Sequence, residues 1–468
     1  PTPFWRLHAE LYKDDTTIIA DYENQRVFKA SEIQKIKKRC EGKKSIVTQV
    51  TKSIYRQFPP FPFNTGSLQK DAYRIFGYLP SHTLRIAERL YLSALISYPR
   101  TSSQKLPSSI DFQKIFTDLQ KSKTYNKDAS NILRGKMTPN QGPKVDPAHP
   151  SIYPTGDIPK RTLSSTENKL YDLIVRRFLS VFGEVALREQ ISVTVDIGDY
   201  LFNIYGKQTL KEGWIKFYRN YTSVDDKVIP HLIKDEKLPL QSIVIEEKFT
   251  KPLSRYNQST LLEKMEKEDI GTKATRADII KTLYDRGYFY DTHIFATDIA
   301  LTVNEVMSQY SPKIISVDMT RKIEKNLEKI ENNQMDGGIV IHQAVDQMID
   351  SLAAIKKAEK EIGGKLGQAV ITTIHKQNRI SSCPLCNKGT LNIIRSKKTH
   401  KRFIGCSRYI KGCRASAPLP QRGTVTITGK TCSNCGWPII YLRFYRKSWR
   451  QCVNSTCKSK RKVTKDEM

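Results

Sequence analysis

The sequence predicts a multidomain α+β protein that ends in two small β modules, and three observations carry that expectation. The chain has 468 residues, enough for several domains and a sizeable core. Its apolar pattern is strand-like near the start, helical after residue 57, strand-like again near residue 190, and helical once more beyond residue 256. Eight of its nine cysteines fall after residue 380, in four close pairs.

Taken in order, residues 1–56 carry strand-like stretches at 4–11 and 17–20, with a basic helical run at 31–40. Residues 57–185 read as mainly helical. Residues 186–250 return to alternation, with Ile191, Val193 and Val195 set against Ser192 and Thr194, the mark of half-buried strands. From Tyr256 the pattern is helix, turn, helix: residues 259–268 are periodic, Ile270-Gly271-Thr272 breaks the period, and 277–284 resume it. Thr275 with Asp278 three positions on fits a helix N-cap. Backbone amides at a helix start also suit a phosphate, so the residues alone leave capping and DNA contact both open for Thr275. A further helix is predicted over 339–360, where Ile341, Ala344, Met348 and Leu352 are spaced to form one buried face. The glycines of Ile362-Gly363-Gly364-Lys365 then predict an exit, with residues 363–380 as a linker.

Composition points to a polyanionic partner. Lys and Arg number 78 against 47 Asp and Glu, a net charge of +31. The excess is uneven: from Leu366 onward 22 basic residues face two acidic ones, so +20 of it lies in the last 103 residues. A membrane surface would attract the same charge, but there is no apolar run of about 18 residues and no apolar leader segment. Nucleic acid is the better partner.

The paired cysteines are spaced as Cys383-x2-Cys386, Cys406-x6-Cys413, Cys432-x2-Cys435 and Cys452-x4-Cys457. Two successive sets of four, with the pairs in each set separated by a turn-and-strand length, predict two four-cysteine zinc ribbons over 381–420 and 428–460, followed by a basic tail at 461–468. Disulfides are the weaker alternative, because a charged chain without a secretion signal is expected in a reducing, cytoplasmic compartment. A module of this size buries too little apolar surface to fold alone, so the metal supplies much of its stability. In the second ribbon Trp437, Tyr441, Phe444, Tyr445 and Trp449 alternate with Arg443, Arg446, Lys447 and Arg450. About half of these rings are expected to form the ribbon's own core. Tyr441 and Tyr445 are expected to share a face, and with Arg443 they are the candidate contacts to a single strand, whose unstacked bases meet rings while its phosphates meet cations.

The most informative local feature is Ser97-Tyr98-Pro99-Arg100-Thr101. Proline pushes the residue before it toward extended geometry, and in an extended chain residues two apart point the same way, so Tyr98 and Arg100 are expected to share a face. A phenol is a possible nucleophile and a guanidinium can hold a phosphate in bidentate fashion, which are the parts for attack on a phosphodiester. A phenol has a pKa of about 10, leaving on the order of 0.1% ionised at neutral pH, so such a site must assist its nucleophile.

Tyr98-Pro99-Arg100-Thr101 follows a proline-rich lead-in at 57–63 and the helix start Thr65-Gly66-Ser67-Leu68-Gln69. Further blocks are Ala148-His149-Pro150-Ser151, Leu170-Tyr171-Asp172-Leu173-Ile174, Lys251-Pro252-Leu253-Ser254-Arg255-Tyr256, Asp269-Ile270-Gly271-Thr272-Lys273-Ala274-Thr275 and Asp285-Arg286-Gly287-Tyr288. In their wording and order these blocks closely resemble the type IA DNA topoisomerases, with an archaeal flavour in the tyrosine segment. The resemblance implies that family's toroidal core. Residues 1–56 and 186–250 would form one discontinuous strand-rich arch domain, 57–185 a helical domain carrying the active-site tyrosine, and 251–362 a helical DNA-binding domain. An inserted domain whose ends lie close together would act as the gate.

The resemblance implies ATP-independent cleavage of one DNA strand through a 5′-phosphotyrosine at Tyr98, passage of another strand, religation, and relaxation of negatively supercoiled DNA. Arg100 would clamp the phosphate and His149 would hydrogen-bond it. Thr275 and Arg286 would lie near the bound strand. Thr272 stands where some bacterial members carry arginine, and Lys273 is the expected substitute. A cytoplasmic, nucleoid-associated location follows. In the family a TOPRIM domain with a catalytic glutamate and magnesium-binding acids precedes this region. The chain opens at Pro1 and contains no Asp-x-Asp-x-Glu pattern, so that domain is expected to be missing and possible partners include a separate segment that carries it. Two other classes compete. A tyrosine recombinase would need dispersed arginines around a late tyrosine, and a non-catalytic zinc-ribbon protein that binds single-stranded nucleic acid would leave residues 57–290 unexplained.

Overall fold

A computed structural model describes residues 1–157, 159–222, 224–331, 333–444 and 447–459, and its chain divides into two units. The first comprises Pro1–Tyr284 and Asp291–Ile294; the second comprises Asp285–Tyr290 and Phe295–Met468.

The first unit is built on a seven-stranded antiparallel sheet: β1 (Pro3–Lys13), β2 (Thr16–Tyr22), β3 (Ser45–Gln57), β4 (Ala186–Ile197), β5 (Tyr200–Lys211), β6 (Lys237–Leu238) and β7 (Leu240–Phe249), in the order β6-β3-β4-β5-β2-β1-β7. The alternating residues Val193, Val195 and Ile197 of β4 are fully buried, with Phe202 and Ile204 from β5 beside them. The basic helix α1 (Ala30–Cys40) closes this core with Ile33, Ile36 and Cys40 while its lysines stay in solvent. Both sequence stretches, 1–57 and 186–249, thus contribute strands to one sheet.

What lies between them is helical: α2 (Thr65–Phe76), α3 (Pro80–Leu92), α4 (Phe112–Gln120), α5 (Asn126–Leu133) and α6 (Ser165–Val181). In the β3–β4 register Gln57 stands opposite Ala186, so the chain leaves the sheet and returns to it through neighbouring residues. The indole of Trp214, just ahead of α7 (Ile215–Tyr218), donates to the carbonyl of Gln57 at 3.0 Å and pins that junction. The helices share a second core in which Phe116, Phe178 and Phe182 pack ring against ring at 5.0–5.1 Å. The buried helix α6 starts in a capping box between Ser164 and Glu167, and Arg161 pairs with the same carboxylate. The helix-turn-helix follows as α8 (Gln258–Lys267) and α9 (Arg276–Asp285). Its turn needs Gly271 at φ +67°, where a side chain would be strained and would crowd Thr275.

The second unit has a short hairpin of β8 (Phe289–Tyr290) and β9 (Phe295–Ala296) and the helices α10 (Asp298–Tyr310), α11 (Val317–Glu331), α12 (Gly337–Lys357) and α13 (Glu359–Asn378). Two expectations fail here. Residues 363–378 are not an extended linker. Gly363, Gly364 and Gly367 lie inside α13, where each costs about 1 kcal/mol of helix propensity, and packing offsets that cost. Ile362, Ala369 and Thr373 are buried, Thr373 accepts from the amide of Ile299 at 3.1 Å, and Lys376 pairs with Asp298 at 2.8 Å. The predicted buried stripe of α12 is the second failure. Ile341, Met348 and Leu352 are about half exposed or more, because among the described residues it is Val340 and Ser351 that turn inward.

Two small antiparallel sheets complete the unit: β10 (Arg379–Ser382), β11 (Thr390–Arg395), β12 (Arg402–Cys406) and β13 (Ser416–Pro418), then β14 (Thr424–Thr431), β15 (Pro438–Phe444) and β16 (Lys447–Cys452). The second begins at Thr424 and not at 428, since Thr424–Ile427 already pair with Arg443–Ile440. Arg402 binds the intervening segment through the carbonyls of Arg422 and Gly423 at 2.8 and 2.9 Å. Tyr445 and residues 461–468 lie outside the described residues.

Candidate active site

Tyr98 is carried by a segment that is tied down on both sides. After α3, Ala94 takes a left-handed backbone at φ +55° and turns the chain into an extended run. That run bonds to residues 151–155: Ser97 N donates to the Tyr153 carbonyl at 2.9 Å, and Thr155 N donates to Leu95 O at 3.1 Å. Beyond Tyr98, the start of α2 takes over. The Thr65 hydroxyl donates to the carbonyl of Pro99 at 2.7 Å, Thr101 N donates to that hydroxyl at 2.9 Å, and the Asn64 amide donates to Ser102 O at 3.2 Å. This explains why a Thr-Gly-Ser-Leu-Gln helix start and the tyrosine segment belong together. Burial then alternates: Tyr98, Arg100 and Ser102 are partly exposed, while Pro99, Thr101 and Ser103 are buried.

The Tyr98 ring packs against His149, with centroids 4.6 Å apart, and meets Tyr91 of α3 in a T-shaped contact at 5.3 Å. Among the described residues nothing hydrogen-bonds its hydroxyl, which leaves that oxygen to an incoming group. Arg100 is already engaged. Its Nε donates to Glu88 Oε1 at 2.8 Å and its Nη1 donates to the carbonyl of Ala274 at 3.2 Å. A second bond to Glu88 brings the used N–H groups to three, so two of the five remain for a phosphate.

Ala274 belongs to the turn before α9, so Arg100 joins that turn to the tyrosine segment. Thr275 in the same turn accepts from Thr272 N at 2.9 Å, and its carbonyl receives the first helical bond from Ile279, as an N-cap residue does. Lys273 reaches the buried Asp146, where the ammonium pairs with Oδ2. Arg286 is exposed and belongs to the second unit.

Asp146, Glu88 and Tyr91 were not singled out from sequence. Glu88 and Tyr91 are one turn apart on the same side of α3. Asp146 in Asp-Pro-Ala-His carries the Asx-turn pattern, which was a usable signal. Burial alone would raise the Asp146 pKa, but the Lys273 ammonium and the amides of Ser102 and Ala148 outweigh it and hold the carboxyl well below its ordinary value of 3.8. A depressed pKa gives stability that is complete above the unfolded value and is lost as pH falls through the lower folded one. The thermal midpoint is therefore expected to start falling below pH 3.8, and in Asp146→Asn, measured over the same acid range, part of that fall is absent.

The eight late cysteines form two groups, Cys383, Cys386, Cys406 and Cys413, and Cys432, Cys435, Cys452 and Cys457, each with its sulfurs within 4.8 Å of one another. The Cys383–Cys413, Cys386–Cys406 and Cys432–Cys457 pairs are each 3.8 Å apart, and Cys435–Cys452 is 3.4 Å. Four thiolates at about 2.3 Å around a tetrahedral zinc would be about 3.8 Å apart, so both groups fit that ion. Cys40 is separate, buried under β4 with its thiol pushed up to about 11 by burial. Trp437 and Trp449 join the ribbon core. Tyr441 and Arg443 lie on the other face of β15, and Arg450 stands opposite Tyr441 on β16.

Among the described residues no other group of three or more His, Cys, Asp or Glu side chains is close enough to share an ion.

Residues 1–342 match a family model described as DNA topoisomerase. DNA topoisomerase 1 of Pyrococcus horikoshii is 40% identical over 466 residues, covering 98% of this chain and 67% of that protein. DNA topoisomerase 1 of Methanothermobacter thermautotrophicus is 37% identical over 462 residues, covering 98% of this chain and 62% of that protein. The chain thus spans about two thirds of the length of these relatives. Its fold is similar to full-length topoisomerase I from Thermotoga maritima, with a TM-score of 0.58 at 22% identity, covering 90% of this chain and 67% of that one. With its mixed helical and sheet architecture and its two cysteine groups, the chain belongs to the type IA DNA topoisomerases.

Proposed function

We propose that this chain carries the strand-cleaving tyrosine of an ATP-independent topoisomerase that relaxes negatively supercoiled DNA. Tyr98 Oη attacks a backbone phosphorus of a single strand. The new O–P bond replaces the bond to the 3′ oxygen, the phenol proton passes to water, and the departing oxygen takes up a proton and leaves as a 3′ hydroxyl, with the 5′ phosphate on Tyr98. After another strand passes, the hydroxyl attacks back, so one phosphodiester is exchanged for another and no nucleotide is consumed. Arg100 offers its two remaining N–H groups to the phosphate and its developing charge, and His149 adds a hydrogen bond. Lys273 and Thr275 bind the backbone of that strand, and Arg286 is a further DNA contact.

The observation that carries this reading is the Tyr98 ring held beside His149 in a segment shared with Arg100, its hydroxyl without a hydrogen-bond partner among the described residues. The groups that hold magnesium and protonate the leaving oxygen are proposed to come from polypeptide beyond this chain, in a TOPRIM-type segment. The two cysteine groups each take one zinc, and the second ribbon grips single strands through Tyr441, Tyr445 and Arg443. A purely binding role would explain the ribbons and the charge but not the Tyr98 arrangement. Expected for the 468-residue chain alone is salt-sensitive binding of single-stranded DNA with little or no relaxation of negatively supercoiled plasmid. Efficient relaxation by the chain alone, measured on agarose gels, would remove the division of labour.

A further inference from the structure

One buried carboxylate joins the three segments that carry the proposed chemistry. Asp146 lies in the long connection between α5 and α6, three residues ahead of His149. Its Oδ1 accepts from the amides of Ala148 and His149 at 3.1 and 3.3 Å. Its Oδ2 accepts from the amide and hydroxyl of Ser102 at 2.9 and 3.0 Å and from the Lys273 ammonium. Ser102 is two residues beyond Arg100 and shares its partly exposed side. Thr101 adds a direct tie by donating to the carbonyl of His149 at 3.2 Å.

From this convergence we infer that Asp146 is a positioning residue: it fixes the spacing of Tyr98 and His149 and holds Lys273 beside them. The inference rests on the proposed strand-cleaving role of Tyr98. Asp146 itself touches no substrate, since its side chain is 1% exposed. Its work is to accept. Donors arrive at both oxygens, and only an ionised carboxylate accepts on both sides. An asparagine fills the same volume but must turn its NH2 toward either the Ser102 donors or the Ala148 and His149 amides, and one of the two segments is then pushed away. Lys273 spends one of its three N–H groups on Asp146, which leaves two for a phosphate close to the tyrosine. A misplacement of about 1 Å at such a site costs about 100-fold in rate.

The test is single-turnover formation of the covalent adduct by the complete protein on a single-stranded oligonucleotide, with its Kd measured separately. Asp146→Asn is expected to slow adduct formation about 100-fold while the Kd stays within about threefold. Because Asp146 acts in part through His149, the Asp146→Asn/His149→Ala double variant is expected to lose less than the product of the two single losses. A merely structural role would lower the fraction of active molecules and would add to the His149→Ala loss. Additive losses, or an Asp146→Asn rate within about threefold of the parent, overturn the inference. If Asp146→Asn does not fold, Ser102→Ala removes one bond to the carboxylate at a partly exposed position. A slowing of about tenfold supports the role and an unchanged rate overturns it. A Tyr98→Phe control separates the two levels. Adduct that survives it removes the cleavage reading itself, whereas adduct that needs Tyr98 but not Asp146 removes only the positioning role.

Discussion

Tyr98→Phe is expected to abolish covalent capture of single-stranded DNA while leaving the protein folded and able to bind it. The change removes one oxygen. The ring keeps its contacts with His149 and Tyr91, and among the described residues that oxygen has no hydrogen-bond partner to orphan. Stability is therefore expected to stay within about 0.5 kcal/mol of the parent. The rate behaves otherwise, because the deleted oxygen is the proposed nucleophile itself. A fall of about 10⁴-fold or more is expected, below detection on a denaturing gel of oligonucleotide incubated with the complete protein. Adduct at parental levels in Tyr98→Phe would mean that another residue attacks. Normal binding with no adduct would tie the loss to the chemical step.

Metal removal is expected to have the second largest effect, and it falls on the other end of the chain. Among the described residues the ribbon core contains 14 buried ones, four of them cysteines of the two clusters, so the ligands are a large part of what holds it together. A structural zinc contributes about 10–16 kcal/mol of apparent binding free energy in small modules, more than a core of this size can supply without it. Metal analysis is expected to find two zinc ions per chain. Chelation is expected to melt β10–β16 in circular dichroism and to weaken single-strand binding, since Tyr441, Arg443 and Arg450 would lose the sheet that aligns them. The first unit, with cores of its own, is expected to keep its unfolding midpoint. Cys432→Ser reports on the second site alone. If neither secondary structure nor binding changes on complete metal loss, zinc is not what folds the ribbons.

The sheet was legible in the sequence because period-two alternation records which residues face a core, and Val193 and Val195 are both fully buried. The two cysteine groups were legible because close pairs leave few ways to arrange four ligands. The meeting of Tyr98 and His149 was not legible from periodicity. They lie 51 positions apart in irregular backbone, and only the family resemblance paired them. Asp146 was missed because its partners come from three separated segments, and only the Asx-turn half of its bonding is local. Glu88 shows a limit of residue-by-residue reading: Arg100 was expected as a phosphate clamp, and nothing in the sequence shows that part of its guanidinium is held by a carboxylate. On α12 the apolar spacing shows that a stripe exists, but spacing does not say what covers it. Glycine propensity misled at 363–367 because tertiary packing against α10 outweighs it.

That last helix has a mechanical consequence. α13 ends at Asn378 and β10 starts at Arg379, so the first ribbon is bolted to a stiff rod with no slack between them. Tension applied to a strand gripped by the ribbons would travel down the rod into α10 through the Thr373 and Lys376 anchors, with little lost in an idle tether. Its weakest turn is the one with three glycines in five residues, which makes that turn the place where the rod yields first under load.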